Sequence, residues 1–301
     1  MYTALIIGYG SIAQKHFRCL TKNKKIKKIY IYSRRRIKYK NSISKLKEII
    51  KIDPDYILIT TETSLHYKYL KFITKNFNNK KIFVEKPIFD SFKKINLNNN
   101  KVFVGYNLRL HPAIQYLHKL LKNKQIWFVS AKCESYLPNW RKNRNYFKTS
   151  SSFKKLGGGV LLDLSHELDY LNWFFGNLKP IYVFNKKISN LKINTDDILL
   201  LYAKNNLNTH FNISLNYFSK NESRQISIEG KNFSLFADLI NNKITLFNNS
   251  KKQTILFKKN HNLSTYIEMH KSILNNKTKY ICDYYQGLKI MKLIQKINFL
   301  K

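Results

Sequence analysis

Glu85 and Lys86 place a carboxylate and an ammonium side by side where a short apolar run ends. Lys81–Val84 precedes the pair and Pro87 follows it. An apolar run bounded by proline is typical of a buried strand, and open α/β sheets bind ligands at the carboxyl ends of their strands. The pair therefore indicates a catalytic or binding position. The alternative is the solvated start of a turn.

A second group of titratable residues lies between a run of three glycines, residues 157–159, and Gly176. The spacing predicts one helix over residues 160–175, with leucines on one stripe and polar side chains on the other. An imidazole titrates near neutral pH, so His166 is a candidate general acid or base that Asp163 orients. A plain solvated face is the alternative. The polar stripe consists of Asp163, His166, Glu167 and Tyr170.

The N-terminal residues contain a glycine pattern typical of dinucleotide binding, with an ordinary glycine turn as the alternative. An apolar run over residues 3–7 leads into Gly8-x-Gly10-x-x-Ala13, and a helix is predicted through residue 20. Gly8 permits the tight turn, Gly10 lets the backbone approach a pyrophosphate, and Ala13 allows close packing of helix on strand. The pattern stands after a strand and before a helix, which is the context that the fingerprint requires. Ser11 and Ile12 complete the predicted phosphate site.

The second predicted strand, residues 29–32, ends where an NAD-specific enzyme usually offers an acid to the ribose diol. Ser33-Arg34-Arg35-Arg36 stands there instead. Ser33 is suited to a hydrogen bond with a 2′-phosphate, and Arg34 or Arg35 to neutralising it. NADP(H) is the preferred cofactor on this basis, with NAD(H) as the alternative if the arginines belong to the general basic excess.

Strands and helices alternate through the first third of the chain. A helix is predicted over residues 43–52 and a strand over residues 56–60, followed by a polar loop from Thr61 to His66 at the predicted nicotinamide end. A further strand, residues 102–105, delivers Asn107 and Arg109. This alternation predicts a parallel, doubly wound sheet.

The second half of the chain changes in character. A helix is predicted within residues 111–125, and short β-like runs follow that indicate an antiparallel sheet. Between them, Tyr136, Trp140, Arg141 and Tyr146 form an aromatic and cationic loop suited to an anionic sugar, or else pinned to the core. The predicted strands are residues 126–134, 181–184, 198–203, 209–217, 225–229, 233–238 and 243–247, and the last helices are residues 266–274 and 284–299.

Composition excludes several classes of protein. The 301 residues carry 55 Lys plus Arg against 17 Asp plus Glu, a net charge of +38, but the lysines are scattered rather than gathered into a nucleic-acid patch. We therefore expect no specific nucleic-acid partner. The three cysteines, Cys19, Cys133 and Cys282, show neither disulfide nor metal spacing, so we expect no metal and a cytoplasmic location. A signal peptide and a membrane span are not expected either.

The motifs together resemble the Gfo/Idh/MocA family, the relatives of glucose-fructose oxidoreductase and inositol dehydrogenase. The resemblance rests on residues 8–13, 61–66, 84–87, 105–109 and 157–159. It implies a Rossmann domain (residues 1–112) and a C-terminal α+β domain with an open, mainly antiparallel sheet (residues 113–301) that forms homo-oligomers. It also implies that Lys86 contacts the substrate hydroxyl and the nicotinamide, and that the Lys86–Pro87 bond is cis.

In that family an Asp and a His, usually four residues apart, complete the site with the lysine. Here His166 follows Asp163 by three residues and Glu167 occupies the fourth place, so His166 and Lys86 are alternative proton carriers. The chain also resembles the subgroup found in bacterial surface-polysaccharide and nonulosonic acid pathways. We expect an NAD(P)-dependent oxidoreductase acting on a sugar, sugar acid or nucleotide sugar. The alternative is a non-catalytic NAD(P)-binding sensor. The expected substrate ligands are Lys86, Asn107, Arg109, Tyr136, Trp140, Arg141, Tyr146 and Glu167, and Glu85 is expected near the cofactor.

Overall fold

The computed structural model describes residues 1–141, 144–248, 251–258 and 263–300. The chain divides into two compact units, Met1–Leu110 with Asn260–Leu288 and His111–Lys259 with Lys289–Lys301. The sequence-based boundary at 112/113 stays a prediction. The division by contacts differs from this boundary, because it groups residues 260–288 with the first unit. Helix and strand residues of that segment pack against the first unit.

The described elements alternate in the first unit and become mostly strands in the second. The α-helices are α1 Ser11–Thr21, α2 Glu48–Ile52, α3 Thr63–Asn76, α4 Pro112–Leu120, α5 Val160–Asp163, α6 His166–Phe175, α7 Ser264–Leu274 and α8 Tyr284–Leu300. The strands are β1 Tyr2–Ile7, β2 Ile26–Tyr32, β3 Ser42–Ile43, β4 Tyr56–Ile59, β5 Lys81–Val84, β6 Lys101–Val104, β7 Ile126–Tyr136, β8 Lys179–Lys186, β9 Ile198–Lys204, β10 His210–Asn216, β11 Phe218–Gly230, β12 Phe233–Asp238, β13 Lys243–Asn248, β14 Lys251–Leu256 and β15 Cys282–Asp283.

The first unit contains the doubly wound sheet. Its strand order is β15-β6-β5-β4-β1-β2-β3, and all neighbours are parallel except β15 with β6. The central strands are apolar along their length because both faces of the sheet are covered, and the four residues of β4 are all buried. The strand order reverses between β1 and β4. This switch point opens the crevice in which such sheets bind ligands.

The second unit is built on an eight-stranded sheet with the order β14-β13-β12-β11-β7-β10-β9-β8. All neighbours pair antiparallel except β7 with β10, which are parallel. Burial alternates along the strands: in β9, Leu199, Leu201 and Ala203 are buried while Leu200 and Tyr202 are exposed. One face of the sheet therefore packs on the core of its own unit and the other face is solvent-exposed. The predicted α/β plus α+β fold is confirmed.

Two predicted helices differ from the structure. The helix over residues 43–52 is shortened to α2, because Ser42–Ile43 pairs with β2 as a strand. The helix over residues 160–175 is broken into α5 and α6. Leu164 has φ −98° and ψ 27°, and the Ser165 hydroxyl donates to the Leu162 carbonyl over 2.8 Å. The polar stripe is therefore not continuous. β14 was also missed, since its lysines interrupt the apolar alternation.

A buried ion pair lies beneath the sheet of the second unit. Arg224 Nε on β11 is 2.9 Å from Glu167 Oε1, and the Glu167 side chain is 0% exposed. Arg224 also donates to Cys133 Sγ over 3.1 Å. Burial by itself lowers the pKa of Arg224, but Glu167 outweighs it and raises that pKa, so the guanidinium stays charged. Glu167 is thus committed to Arg224, which does not fit its predicted contact with substrate.

We expect Arg224→Met to destabilise the protein by about 3–5 kcal/mol, because it leaves the Glu167 carboxylate buried without its cation. The double variant Glu167→Leu with Arg224→Met should recover most of that loss, since no charge remains buried. Denaturant unfolding followed by fluorescence measures both free energies. A single variant as stable as the double variant would contradict the pairing.

Candidate functional site

The turn between β1 and α1 has the geometry of a phosphate cradle. Gly8 has φ +100°, and a Cβ there would lie 3.0 Å from the Thr60 carbonyl oxygen, so glycine is required. A Cβ on Gly10 would have no described atom within 4 Å. Ala13 is fully buried under the helix. Because the first N–H groups of a helix have no partner inside it, the first turn at Ser11 and Ile12 suits a dinucleotide pyrophosphate.

The residues after β2 lie at the surface beside the loop that follows β4. The Ser33 hydroxyl accepts the Arg35 N–H over 3.1 Å. The Arg34 side chain is 62% exposed, and its Nη2 lies 3.5 Å from Glu62 Oε2. Glu62 was not singled out as a site residue from the sequence, because its partner is 28 positions away. The exposed Arg34 guanidinium is accessible to a ligand, whereas Ser33 already shapes the turn.

His66 connects the polar loop to the residue after Lys86. The ring is 1% exposed, and its Nδ1 and Nε2 lie 3.0 Å from the Pro87 carbonyl oxygen and 3.1 Å from the Thr61 carbonyl oxygen. Burial lowers the pKa of His66 despite these two carbonyls and Glu85. Each ring nitrogen lies beside a backbone carbonyl, and a neutral ring donates to one of the two. This geometry favours a positioning role for His66 over the predicted cofactor contact.

Glu85 is buried, which excludes the solvated-turn alternative for this carboxylate. Its Oε1 lies 2.7 Å from His16 Nε2, and its Oε2 accepts the Lys86 N–H over 3.1 Å. Burial raises the pKa of Glu85, but the hydrogen bond from His16, together with the Lys86 charge and backbone N–H, outweighs it and leaves that pKa below its usual value. Lys86 is partly exposed and its bond to Pro87 is cis, as the resemblance implied.

Asn107 and Arg109 are buried within the first unit. Asn107 Nδ2 donates to Thr265 Oγ1 over 2.8 Å, and Arg109 Nη1 donates to Gln286 Oε1 over 2.5 Å. Arg109 is 2% exposed. These contacts hold the segment after β6 on the C-terminal helices, which is a structural role. Their predicted role in binding substrate stays a prediction.

In the second unit, Asp163 is held by a tyrosine that sequence reasoning missed. The Tyr217 hydroxyl donates to Asp163 Oδ2 over 2.6 Å, and the Trp140 ring stands edge-on to Tyr217 with centroids 5.2 Å apart. Burial and then the charge of Asp163 raise the pKa of Tyr217 well above its usual value, so the phenol remains a donor. Tyr217 and Asp163 are 54 positions apart, so no local sequence pattern predicts their contact. The one signal in the sequence was that Tyr217 ends a predicted strand.

The other predicted substrate and catalytic residues of the second unit differ in exposure and in their contacts. His166 is partly exposed at the first residue of α6, and Tyr136 is partly exposed at the end of β7. Burial, and then repulsion from Arg144, lowers the pKa of Arg141, while Asp163 opposes the shift. Tyr146 Oη accepts the Lys192 N–H over 3.1 Å, which supports the reading of Tyr146 as a residue that pins its loop.

Family models match most of the chain. The oxidoreductase family, NAD-binding Rossmann fold, matches residues 2–98, and its C-terminal alpha/beta domain matches residues 129–297. The chain therefore belongs to the Gfo/Idh/MocA oxidoreductase family and has its NAD-binding Rossmann fold. Among curated proteins, no sequence matches the chain significantly.

Solved structures share the whole fold at low identity. UDP-N-acetylglucosamine 3-dehydrogenase GnnA from Acidithiobacillus ferrooxidans is 15% identical with a TM-score of 0.79, covering 99% of this chain and 97% of that chain. WlbA dehydrogenase from Bordetella pertussis, in complex with NADH and UDP-GlcNAcA, is 15% identical with a TM-score of 0.80, covering 99% and 94%. A levoglucosan dehydrogenase in complex with NADH is 14% identical with a TM-score of 0.82, covering 99% and 96%.

Over residues 1–141, 144–248, 251–258 and 263–300, none of the helices has both the length and the apolar composition of a membrane span. In the same part of the chain, no three His, Cys, Asp or Glu side chains gather as metal ligands.

We expect the free energy of unfolding to fall as the pH drops below about 6.5. The folded state holds several histidines with a lowered pKa, so they stay neutral while the unfolded chain binds protons, at about 1.4 kcal/mol per pH unit for each histidine. Between pH 6.5 and 5, His66→Asn should reduce the slope of the unfolding free energy against pH by an amount that approaches the contribution of one proton, about 1.4 kcal/mol per pH unit. Urea unfolding at several pH values measures it, and an unchanged slope would count against a neutral buried His66. The histidines concerned are His66, His111 and His270.

Proposed function

We propose that the protein transfers hydride between a nicotinamide cofactor and a hydroxyl or carbonyl carbon of a sugar, sugar acid or nucleotide sugar. The observation that carries this proposal is the position of Lys86 just beyond the carboxyl end of β5, next to the buried Glu85 whose Oε2 accepts the Lys86 N–H. The open turn at Gly10 supports the cofactor half of the proposal. Family membership supports the reaction class.

In this proposal Lys86, Asp163 and His166 handle the proton of the reacting hydroxyl. Oxidation releases one proton from the hydroxyl oxygen, and the Lys86 amine or the His166 imidazole accepts it; reduction runs in reverse. Asp163, whose Oδ2 accepts a hydrogen bond from Tyr217, orients the substrate or the imidazole. When bound, the nicotinamide supplies or accepts the hydride. Lys86 belongs to the first unit and the other two residues to the second, so their cooperation is part of the proposal.

The substrate class is inferred from charge and from similar proteins. Arg141 and Arg144 provide two guanidinium groups next to one another in the aromatic loop, which suits a carboxylate or a phosphate. GnnA is a UDP-N-acetylglucosamine dehydrogenase, and WlbA was solved with UDP-GlcNAcA. We therefore propose a nucleotide sugar as the first substrate to test, with a role in surface-glycan biosynthesis in the cytoplasm.

We further propose a homo-oligomer formed through the exposed face of the second unit's sheet. Large apolar side chains lie on this face, and in the register of the strands Tyr182 stands opposite Tyr202 and Phe184 opposite Leu200. Exposed apolar groups on a sheet face are typical of an interface. The other large side chains of the face include Phe128, Phe236 and Phe247.

For the cofactor we propose NADP(H) over NAD(H), since Arg34 is exposed at the end of β2 and no acid follows that strand. Arg34→Ala should weaken NADPH binding by tenfold or more, because a charge-assisted hydrogen bond contributes about 1.5–3 kcal/mol, and should leave NADH within about twofold. Fluorescence titration of each cofactor measures this. Arg36→Ala is the matched control. Equal affinity of the wild-type protein for both cofactors would contradict the preference.

Lys86→Met should lower kcat by about 10²- to 10⁴-fold, the range for loss of general acid–base catalysis, with cofactor affinity changed by a few-fold at most. Absorbance of the reduced nicotinamide reports turnover with UDP-N-acetylglucosamine and other nucleotide sugars. Lys94→Met is the matched control. Full turnover by Lys86→Met would refute the assigned role, and cofactor binding without turnover by the wild-type protein on any sugar would favour a sensor.

A further inference from the structure

A chain of four polar side chains runs from Glu85 into the core of the first unit. Glu85 Oε1 is 2.7 Å from His16 Nε2, His16 Nδ1 is 2.7 Å from His270 Nε2, and His270 Nδ1 is 2.8 Å from Tyr56 Oη. His16, His270 and Tyr56 are each 0% exposed, and Glu85 is 8% exposed. The four residues come from α1, α7, β4 and the end of β5. The sequence analysis assigned a role to Glu85 alone.

The hydrogens in this chain follow from the chemistry of its ends. An ionised Glu85 accepts only, so His16 donates from Nε2. At the other end, the buried Tyr56 hydroxyl donates to His270 Nδ1. A neutral His270 then carries its hydrogen on Nε2 and donates to His16 Nδ1, which accepts. Three hydrogen bonds therefore point the same way, from Tyr56 to Glu85, and both imidazoles carry their hydrogen on Nε2.

The opposite direction is disfavoured at the Tyr56 end. If His270 carried its hydrogen on Nδ1, Tyr56 Oη would accept it, and the buried tyrosine hydrogen would need another acceptor. In the part of the chain that the structure describes, the Tyr56 hydroxyl has His270 as its one hydrogen-bond partner. Burial raises the pKa of Tyr56 well above its usual value and lowers that of His270 well below its usual value. Both groups are therefore neutral, and Glu85 carries the charge.

The surroundings fit a fixed carboxylate. The Phe83 ring lies 4.9 Å from the His16 ring and 5.5 Å from the His270 ring, between centroids, so water is excluded from the chain. A Cβ on Gly105 would lie 3.2 Å from Glu85 Oε1, so glycine leaves room for the carboxylate. The charged or titratable groups facing Glu85 are His16 on α1, His66 on α3 and Lys86.

We propose that His16, His270 and Tyr56 are positioning residues that hold Glu85 ionised and in one orientation, so that a fixed negative charge stands beside Lys86. The hydrogen bonds polarise one another along the chain, which strengthens the last donor to Glu85. This inference rests on the proposed function of Lys86. A buried cluster that only filled the core would not need to end at the residue before Lys86.

The first test locates the hydrogens and does not depend on turnover. The full-length protein is labelled with ¹⁵N-histidine, and the imidazole nitrogen shifts are read at pH 8, with His16→Asn and His270→Gln used for assignment. We expect both rings in the Nε2–H form, and loss of the hydrogen bond at His270 Nδ1 in Tyr56→Phe. An Nδ1–H form at either ring would overturn the proposal.

The second test asks whether Tyr56 acts through Glu85. Tyr56→Phe should lower kcat roughly three- to tenfold in the wild-type background and less than about twofold in a Glu85→Gln background, with cofactor affinity unchanged. Tyr284→Phe is the matched control, since it removes a buried hydroxyl that bonds to Ile95 N and O in the same unit.

The outcomes of the second test separate the two proposals. Equal losses from Tyr56→Phe in both backgrounds, or no loss in either, would overturn the positioning role. Absence of turnover by the wild-type protein would sink the proposed function and the link to catalysis, and the imidazole spectra would still decide whether the oriented chain exists. Energetic coupling between Tyr56 and Glu85 in kcat, without coupling between Tyr284 and Glu85, would support the positioning role.

Discussion

The first unit depends on keeping a carboxylate ionised in its interior. A buried carboxylate takes up a proton unless hydrogen-bond donors or positive charge stabilise it, and Glu85 accepts hydrogen bonds from His16 and from the Lys86 backbone. Several features of the unit are arranged around this requirement. α1 contributes His16, and Gly105 leaves the space that a side chain would fill. In the proposal above, these features place a fixed negative charge beside Lys86 at the end of β5.

The second unit meets the same requirement in two ways. Glu167 lies fully buried and is compensated by Arg224, a formal ion pair. Asp163 is partly exposed and is held by a neutral donor, Tyr217. The first arrangement leaves no carboxylate surface for a ligand, whereas the second keeps Asp163 partly exposed. Two acids four positions apart in sequence thus have different roles, and burial rather than spacing separates them.

Local patterns predicted the parts of the fold and site that depend on local chemistry. The glycine fingerprint, the apolar runs of β1 and β4, and the alternation in β9 each reflect a short-range rule, and the structure agrees with them. The break between α5 and α6 was missed because it depends on a single Ser165 hydroxyl and on buried polar contacts. Partners such as Tyr217 for Asp163 or His270 for His16 are 54 and 254 positions apart, so no sequence window contains them.

The surface contact between Arg34 and Glu62 and the buried groups around Glu85 differ in how well they tolerate substitution, and the difference has a physical reason. Arg34 is exposed and Glu62 is partly exposed, so their 3.5 Å contact is screened by water and readily exchanged for a ligand phosphate. The groups around Glu85 are buried and hydrogen-bonded, so removing one leaves another without a partner. In the proposed site, the choice between cofactors therefore rests on groups that tolerate substitution, whereas the position of Lys86 rests on groups that do not. Variation among close homologues is expected at residues 33–36 and 62, and compensated changes at His16, His270 and Tyr56.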